Sequence, residues 1–367
     1  MTHVKYSQQR FGLTLELTSF CNLRCRHCFN SFEHQDVQAI PGDELLTILD
    51  RAFTELHFER LTLSGGEPFS YPGVFQVLEL CAARDVRANF VSNATLVTRD
   101  IARQLGKFKG VAVQVAINGP RAEVHDAAVG MHGAWERTHL GIERLRFHGV
   151  GVIGCIVITH RNAALVGETL DHLQMCGLRA VTLARLLSGG LSASHLDLLP
   201  RRGDLLMAFE QASDSRFRDL HLRVAGPIPP CVIDHAAFPT LQFGWCPNGS
   251  AGQDFALGPD GKLRSCTIVG HALGNARFCS FSDLILSPEV TKYRKRTPEF
   301  CTGCPEQPRC LGGCGAAALA TTGDPWALDP LVLQHVDPNF RLRVRTAQAR
   351  PALEPPATQA QTTRASH

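Results

Sequence analysis

The chain has 367 residues, 44% of them hydrophobic and 19% charged, with a formal net charge of +3. That is enough apolar material for a large core or a core with a satellite domain, and too little charge to predict a nucleic-acid or membrane-surface partner. No apolar run approaches the length of a membrane span, the opening MTHVKYSQQR lacks the apolar centre of a signal peptide, and a cytoplasmic location is expected. Fourteen cysteines exceed what core packing uses and would not pair as disulfides in a reducing compartment, so most are expected to be metal ligands.

From Leu13 to about Leu187, short β-rich runs at 13–17, 60–64, 87–92, 110–117, 149–159 and 180–186 alternate with helical patterns. Stretches such as 43–56 and 135–147 carry apolar residues three and four apart, as helices covering a parallel sheet do. The rhythm predicts an α/β fold over residues 1–187, a partial (βα)6 TIM-like barrel two units short of a full one. Chemistry in such a fold sits on loops at the C-terminal strand ends. Over 188–242 the pattern loosens into a bridging region with SGGLSASH and the proline-rich AGPIPP. A smaller cysteine-rich C-terminal domain over 243–340 reads as hairpins, with GPDG at 258–261 as a tight turn. Within it the basic run from Lys292 to Arg296 reads as a solvated helix end, and the tail 351–367 has too little apolar content to fold and reads as disordered.

The loop after the first strand, CNLRCRHCFN, holds Cys21, Cys25 and Cys28. Taken alone, three cysteines fit zinc, an iron–sulfur cluster or coincidence; closed zinc sites need four ligands, and a four-iron cube held by three thiolates keeps one iron open. The loop after the second strand reads SGGEPF, with Gly65, Gly66, Glu67 and Pro68. Its glycines allow close backbone approach, and its carboxylate is suited to receive an ammonium group. CxxxCxHC after one strand and GGEP after the next resemble the radical S-adenosylmethionine (SAM) superfamily over residues 13 to about 187. The resemblance implies that Cys21, Cys25 and Cys28 hold a 4Fe–4S cluster whose open iron is chelated by SAM. It further implies reductive SAM cleavage to a 5′-deoxyadenosyl radical that abstracts a substrate hydrogen. Ser92-Asn93-Ala94 stands where the family usually has Thr-Asn-Gly near the adenosine. In the strand-four run Ala116 replaces a serine and Asn118 an aspartate, and Val129 stands where an arginine is common. Arg185 resembles an arginine that pairs with the SAM carboxylate, a rim salt bridge being its alternative role.

Downstream, Cys246 and Cys266 flank the GPDG turn, and Cys301, Cys304, Cys310 and Cys314 follow in CTGCPEQPRCLGGC. This array resembles the SPASM (twitch-like) extension of radical SAM enzymes, which carries auxiliary iron–sulfur clusters. By resemblance Cys246, Cys266 and Cys314 serve an inner cluster, and Cys301, Cys304 and Cys310 an outer one. Each set is one ligand short: Ser250 and Asp254 offer no thiolate after Cys246, and Val332 stands where a last cysteine is usual. One or two auxiliary clusters are therefore expected, the inner one with an open iron. Asp324, Asp329 and His335 are nearby candidates to complete the outer one. Cys81, Cys155, Cys176, Cys231 and Cys279 read mainly as core packing, with recruitment of Cys231 as a missing ligand the alternative.

SPASM-bearing radical SAM enzymes mostly modify peptides or small proteins by crosslinking, epimerisation or oxidation, which is the expected activity. Formylglycine formation is disfavoured because Thr267 replaces the aspartate base of those maturases. The alternatives are haem side-chain or redox-cofactor processing and a non-catalytic Fe–S or zinc scaffold, against which GGEP argues. A flavodoxin- or ferredoxin-type electron donor is implied. With only about a dozen residues before the first strand, peptide recognition falls to a separate protein or to none.

Overall fold

A computed structural model describes residues 10–30, 39–248, 253–288, 290 and 296–337. Ser250, Lys292 to Lys295 and the tail 351–367 lie outside the described residues. Six strands occupy the predicted positions: β1 (Phe11–Glu16), β2 (Phe58–Ser64), β3 (Arg87–Ser92), β4 (Ala112–Ala116), β5 (Gly151–Ile158) and β6 (Ala180–Arg185). They pair in chain order, each parallel to the next. Register places Leu13 beside Leu61 and Leu15 beside Leu63, and Leu63 beside Phe90, so the inward residues of successive strands fill one apolar core. Helices α1 (Gly42–Glu55), α2 (Val74–Ala83), α3 (Arg99–Leu105), α4 (Ala122–Val129), α5 (Ala134–Phe147) and α6 (Val166–Met175) supply the crossovers. On α1 the buried residues are Leu45, Ile48, Leu49 and Ala52, the three-and-four spacing of one helix face.

The stretch read as a bridge is more ordered than its sequence pattern suggests. It contains α7 (Arg202–Ala212) and a seventh parallel strand, β7 (His221–Ala225), followed by β8 (Leu241–Phe243), all continuing the sheet beyond β6. At the other edge β9 (Asp254–Leu257) runs parallel to β1, and β10 (Lys262–Arg264) and β11 (Ala272–Asn275) follow antiparallel. The expected tight turn lies between β9 and β10, closed by Gly261 N–H donating to the Gly258 carbonyl at 3.0 Å with Gly261 at φ +82°. One eleven-stranded sheet thus joins the barrel and the cysteine-rich hairpins. A buried ion pair between Glu16 at the end of β1 and Arg264 at the end of β10 fastens the seam. Among the described residues no helix is long and apolar enough to cross a membrane.

Candidate active site and cysteine clusters

The Cys21–Cys28 loop leaves the C-terminal end of β1 and is stitched to three neighbouring loops by backbone. Gly66 N–H donates to the Thr18 carbonyl at 2.7 Å and Glu67 N–H to the Phe20 carbonyl at 2.8 Å. Any Cβ on Gly66 would lie 1.9 Å from the Phe20 oxygen, so only glycine permits this approach. Arg24 N–H donates to the Val129 carbonyl at 2.9 Å, and Ser192 N–H donates to the Cys28 carbonyl at 3.0 Å. The glycines of SGGEPF therefore bring the loop against the cysteine backbone as well as against any ligand.

Above this loop the C-terminal strand ends enclose a cavity of about 300 Å³. Cys21, Cys25 and Cys28 line it together with Gly65 and Gly66 after β2, Ser92 and Asn93 after β3, Asn118 after β4 and Arg185 at the end of β6. Asn93 Nδ2 sits 3.9 Å from the Cys21 sulfur. Asn118 accepts from Val157 N–H at 3.1 Å, and its Nδ2 lies 3.4 Å from His27 Nε2. A smaller cavity of about 220 Å³ adjoins, sharing His27, Asn118 and Val157.

Two residues expected at the cofactor stand behind the cavity wall. Pro68 is buried in a short 3-10 turn. The Glu67 carboxylate is fully buried and takes hydrogen bonds from Ser92 Oγ (2.7 Å), Asn93 N–H (2.9 Å) and Phe69 N–H (3.2 Å). It clamps the β2 and β3 loops together, and burial raises its pKa to about 7 despite the three donors. Arg185 lies on the cavity wall with its guanidinium already paired to Asp329, at 2.5 and 3.0 Å, and donating to the Pro227 carbonyl at 2.8 Å.

Burial pushes all three thiols up, Cys21 to about 11, and the charges of the neighbouring thiols add to the shift at Cys25. Protons would leave when a metal centre binds, because the thiolate is the ligand. A tetrahedral zinc site brings thiolate sulfurs to roughly 3.8 Å of one another, since Zn–S is about 2.3 Å. Among the described residues the one group of three ligand atoms within 4.8 Å is His139, His172 and Cys176, where the imidazoles hydrogen-bond each other at 2.6 Å. Among the described residues no three thiols pack that tightly.

A further residue, His125, belongs to none of the expected site motifs. It is 1% exposed, borders the cavity and accepts from Asn118 N–H at 3.3 Å through Nδ1. That contact assigns the proton to Nε2, which has no partner, and burial lowers the pKa to about 4. The ring is a neutral donor held beside the cavity. Its signal was the HDAAVG run, whose histidine comes one turn into α4.

The downstream cysteines separate into two sets. Burial and then the charges of Asp329, Cys246 and Cys266 raise the Cys314 thiol, while burial and Cys266 push Cys246 to about 11. This inner set meets the cavity wall, because Cys266 and Cys314 pack with Leu187 and Ile268, both of which line the cavity. Arg264 bridges the centres: it pairs with Glu16, whose charge reaches Cys28, and its own charge reaches Cys266. Burial outweighs that pairing at Glu16 and raises its pKa to about 7. In the outer set burial and then Cys310, Cys231 and Cys304 raise the Cys301 thiol.

Three expectations need correction. Arg296 is not solvated: it is 3% exposed, and its guanidinium donates to the carbonyls of Leu311, Gly313, Pro325 and Ala327, which fixes the loop around Cys310 and Cys314. Asp329 is saturated, accepting from Arg185, Cys314 N–H (2.7 Å) and Leu331 N–H (2.8 Å). The remaining cysteines are not uniformly core: Cys81 is buried on α2, Cys155 lines the cavity, and Cys231 and Cys279 are exposed.

Residues 15–173 match the sequence model of the Radical SAM superfamily. The AdoMet-dependent heme synthase of Methanosarcina barkeri is 28% identical over 331 residues, covering 84% of this chain and 92% of its own length. The PqqA peptide cyclase of Methylocella silvestris is 28% identical over 341 residues, covering 89% and 88%. Among solved structures, Streptococcus suis SuiB bound to its precursor peptide SuiA superposes with a TM-score of 0.70 at 17% identity, covering 87% of this chain and 74% of that one. That likeness shows a shared fold.

Proposed function

From a chain that carries a radical SAM domain and is an enzyme using a 4Fe–4S cluster and SAM, we infer an activity on a peptide or small protein: hydrogen abstraction leading to a crosslink, an epimerised centre or an oxidised side chain. The observation that carries the reading is the convergence of three thiols, two loop glycines and the polar ends of β3 and β4 on one cavity. When bound there, the cluster and SAM supply a 5′-deoxyadenosyl radical through one-electron reduction of SAM.

In this reading Cys21, Cys25 and Cys28 hold the cluster. Gly65 and Gly66 present backbone to SAM, Asn93 and Asn118 give it hydrogen bonds, and Ser92, its hydroxyl proton committed to Glu67, lines the SAM site. Glu67 and Pro68 act from behind by setting the loop, and His125 contributes a neutral N–H. Arg185, with its charge balanced by Asp329, forms part of the wall that would hold SAM. The apolar remainder of the wall, including Leu187 and Ile268, excludes water from the radical. The peptide substrate is supported by the PqqA peptide cyclase relative. The heme synthase relative of equal identity keeps tetrapyrrole side-chain processing as the second reading. A flavodoxin- or ferredoxin-type protein supplies the electron in the cytoplasm, and peptide recognition falls to a separate protein or to none.

The test is anaerobic reconstitution with iron, sulfide, SAM and a reductant, with 5′-deoxyadenosine measured alone and beside peptide or tetrapyrrole candidates carrying deuterium. Deuterium transfer from peptide into 5′-deoxyadenosine supports the reading. Transfer only from a tetrapyrrole replaces it with the second, and absence of 5′-deoxyadenosine from a cluster-loaded chain overturns both.

A further inference from the structure

The outer cysteine set lacks the partner that its position in the chain leads one to expect. Val332 is a hydrocarbon, 1% exposed and packed in the core. Asp329 has its two oxygens committed to a guanidinium and two backbone N–H groups. Asp324 Oδ1 accepts from Trp326 N–H at 2.8 Å, and His335 lies exposed near the end of the helix Pro330–Val336.

One further thiol, Cys231, lies in the segment joining β7 to β8. That segment is fastened to the cysteine loops at two points flanking residue 231. At Pro227 its carbonyl accepts from Arg185, whose guanidinium also grips Asp329, the residue bonded to Cys314 N–H. At His235 the ring lies 5.3 Å from Trp245, and Trp245 in turn lies under the Arg309 guanidinium at 4.6 Å, one residue before Cys310. Between these clamps Val232 N–H and Ile233 N–H both bond the Pro229 carbonyl at 2.9 and 3.2 Å, a tight turn with exposed Cys231 inside it. The same proximity appears electrostatically: Cys310 and Cys304 act on the Cys231 thiol, and Cys231 acts on Cys301. A Cβ added to Gly312, at φ +71°, would stand 3.3 Å from the Cys301 sulfur and 2.6 Å from Pro298, so glycine is required beside that thiol.

We propose that Cys231, with Cys301, Cys304 and Cys310, forms a closed four-thiolate site for the outer iron–sulfur cluster. This rests on the reading of the chain as a radical SAM enzyme with auxiliary clusters. It divides the labour between the two sets: the outer site has a full thiolate shell and no open iron, while the inner set of Cys246, Cys266 and Cys314 keeps a vacant coordination position beside the cavity.

The experiment compares iron, acid-labile sulfide and Mössbauer spectra of anaerobically reconstituted wild type, Cys231→Ala, Cys231→Ser, Cys304→Ala and the exposed-thiol control Cys279→Ala. Cys231→Ala and Cys304→Ala each leave three thiolates, so each is expected to change the spectrum of one cluster by opening one iron, with or without iron loss. Their double variant, with two thiolates left, should lose about four irons per chain, the content of one cube, and Cys279→Ala should change neither. Cys231→Ser retains a ligand oxygen and is expected to keep the iron with an altered spectrum of one cluster. The assignment is overturned if Cys231→Ala keeps its full iron and the wild-type spectrum, or if Cys304→Ala does. 5′-Deoxyadenosine formation by the wild type is read on the same preparations. Failure of the radical reading is thereby separated from failure of the Cys231 assignment, which iron content and spectra decide together.

Discussion

In the proposed assignment the two cysteine regions reach their metals in opposite ways. Cys21, Cys25 and Cys28 come from one eight-residue turn, and the neighbouring loops close on that turn through backbone contacts that demand glycine, as at Gly66. The downstream thiols come from segments spread between 231 and 314, and charged side chains tie those segments, Arg185 with Asp329 and Arg296 with four carbonyls. A site built on a rigid strand end is preorganised by the fold, whereas a site assembled from distant loops depends on each clamp that holds them.

The largest effect that sharpens this contrast is at the first site. Cys25→Ala removes a ligand from a centre that has no spare, and 5′-deoxyadenosine formation should fall at least about 10³-fold, equivalent to about 4 kcal/mol of barrier. Quantifying 5′-deoxyadenosine from iron-loaded protein checks this. Cys304→Ala should instead impair substrate modification more than SAM cleavage. Equal losses in both variants would mean the two regions are not functionally separable.

The next effect concerns the clamp. Asp329→Asn leaves Arg185 as a buried cation with half a partner, and losing one member of such a pair costs about 3–5 kcal/mol. Denaturant titration of the holo protein is the measurement. Arg185→Met with Asp329→Leu should recover only part, because Asp329 also receives the Cys314 and Leu331 N–H groups.

Glu67 gives a pH signature of the first region. Its folded pKa is raised from 4.5 to about 7, so between those values the folded state holds a proton that the unfolded chain has released. Stability from this group is therefore present below pH 4.5 and is lost as pH rises toward 7, by about 3 kcal/mol in all. Glu67→Gln should flatten that part of the stability–pH curve relative to wild type. An unchanged slope would mean that the clamp is ionised throughout.

Most of the first region was readable in sequence because its determinants are local. Buried parallel strands such as FGLTLE and GVIGCIVI are nearly continuous apolar runs, and a turn carrying three cysteines announces itself. What escaped depends on distance in the chain. β7 reads HLRVA, alternately exposed and buried, and lacks such a run. The direction in which Glu67 turns is set by donors on β3, 25 residues away. Arg296 stands at the end of a basic run and was assigned to solvent, whereas carbonyls up to 31 residues distant bury it. Cys231 reads mainly as packing because the thiols that act on it electrostatically, Cys304 and Cys310, are more than 70 positions further along.

The smallest effect tests whether burial, rather than charge as such, makes a clamp matter. Arg60 on β2 holds both oxygens of Asp254 on β9 at 2.6 and 2.8 Å, across the same junction between barrel and hairpins that Glu16 and Arg264 secure from inside. Its side chains are 39% and 34% exposed, against 4% and 0% for Arg185 and Asp329. Water screens the outer pair, so Asp254→Asn should cost under about 1 kcal/mol and shift the melting temperature by no more than about 3 °C. A calorimetric loss as large as that of Asp329→Asn would show that the outer rim of the seam, and not its buried pairs, keeps the distant cysteines together.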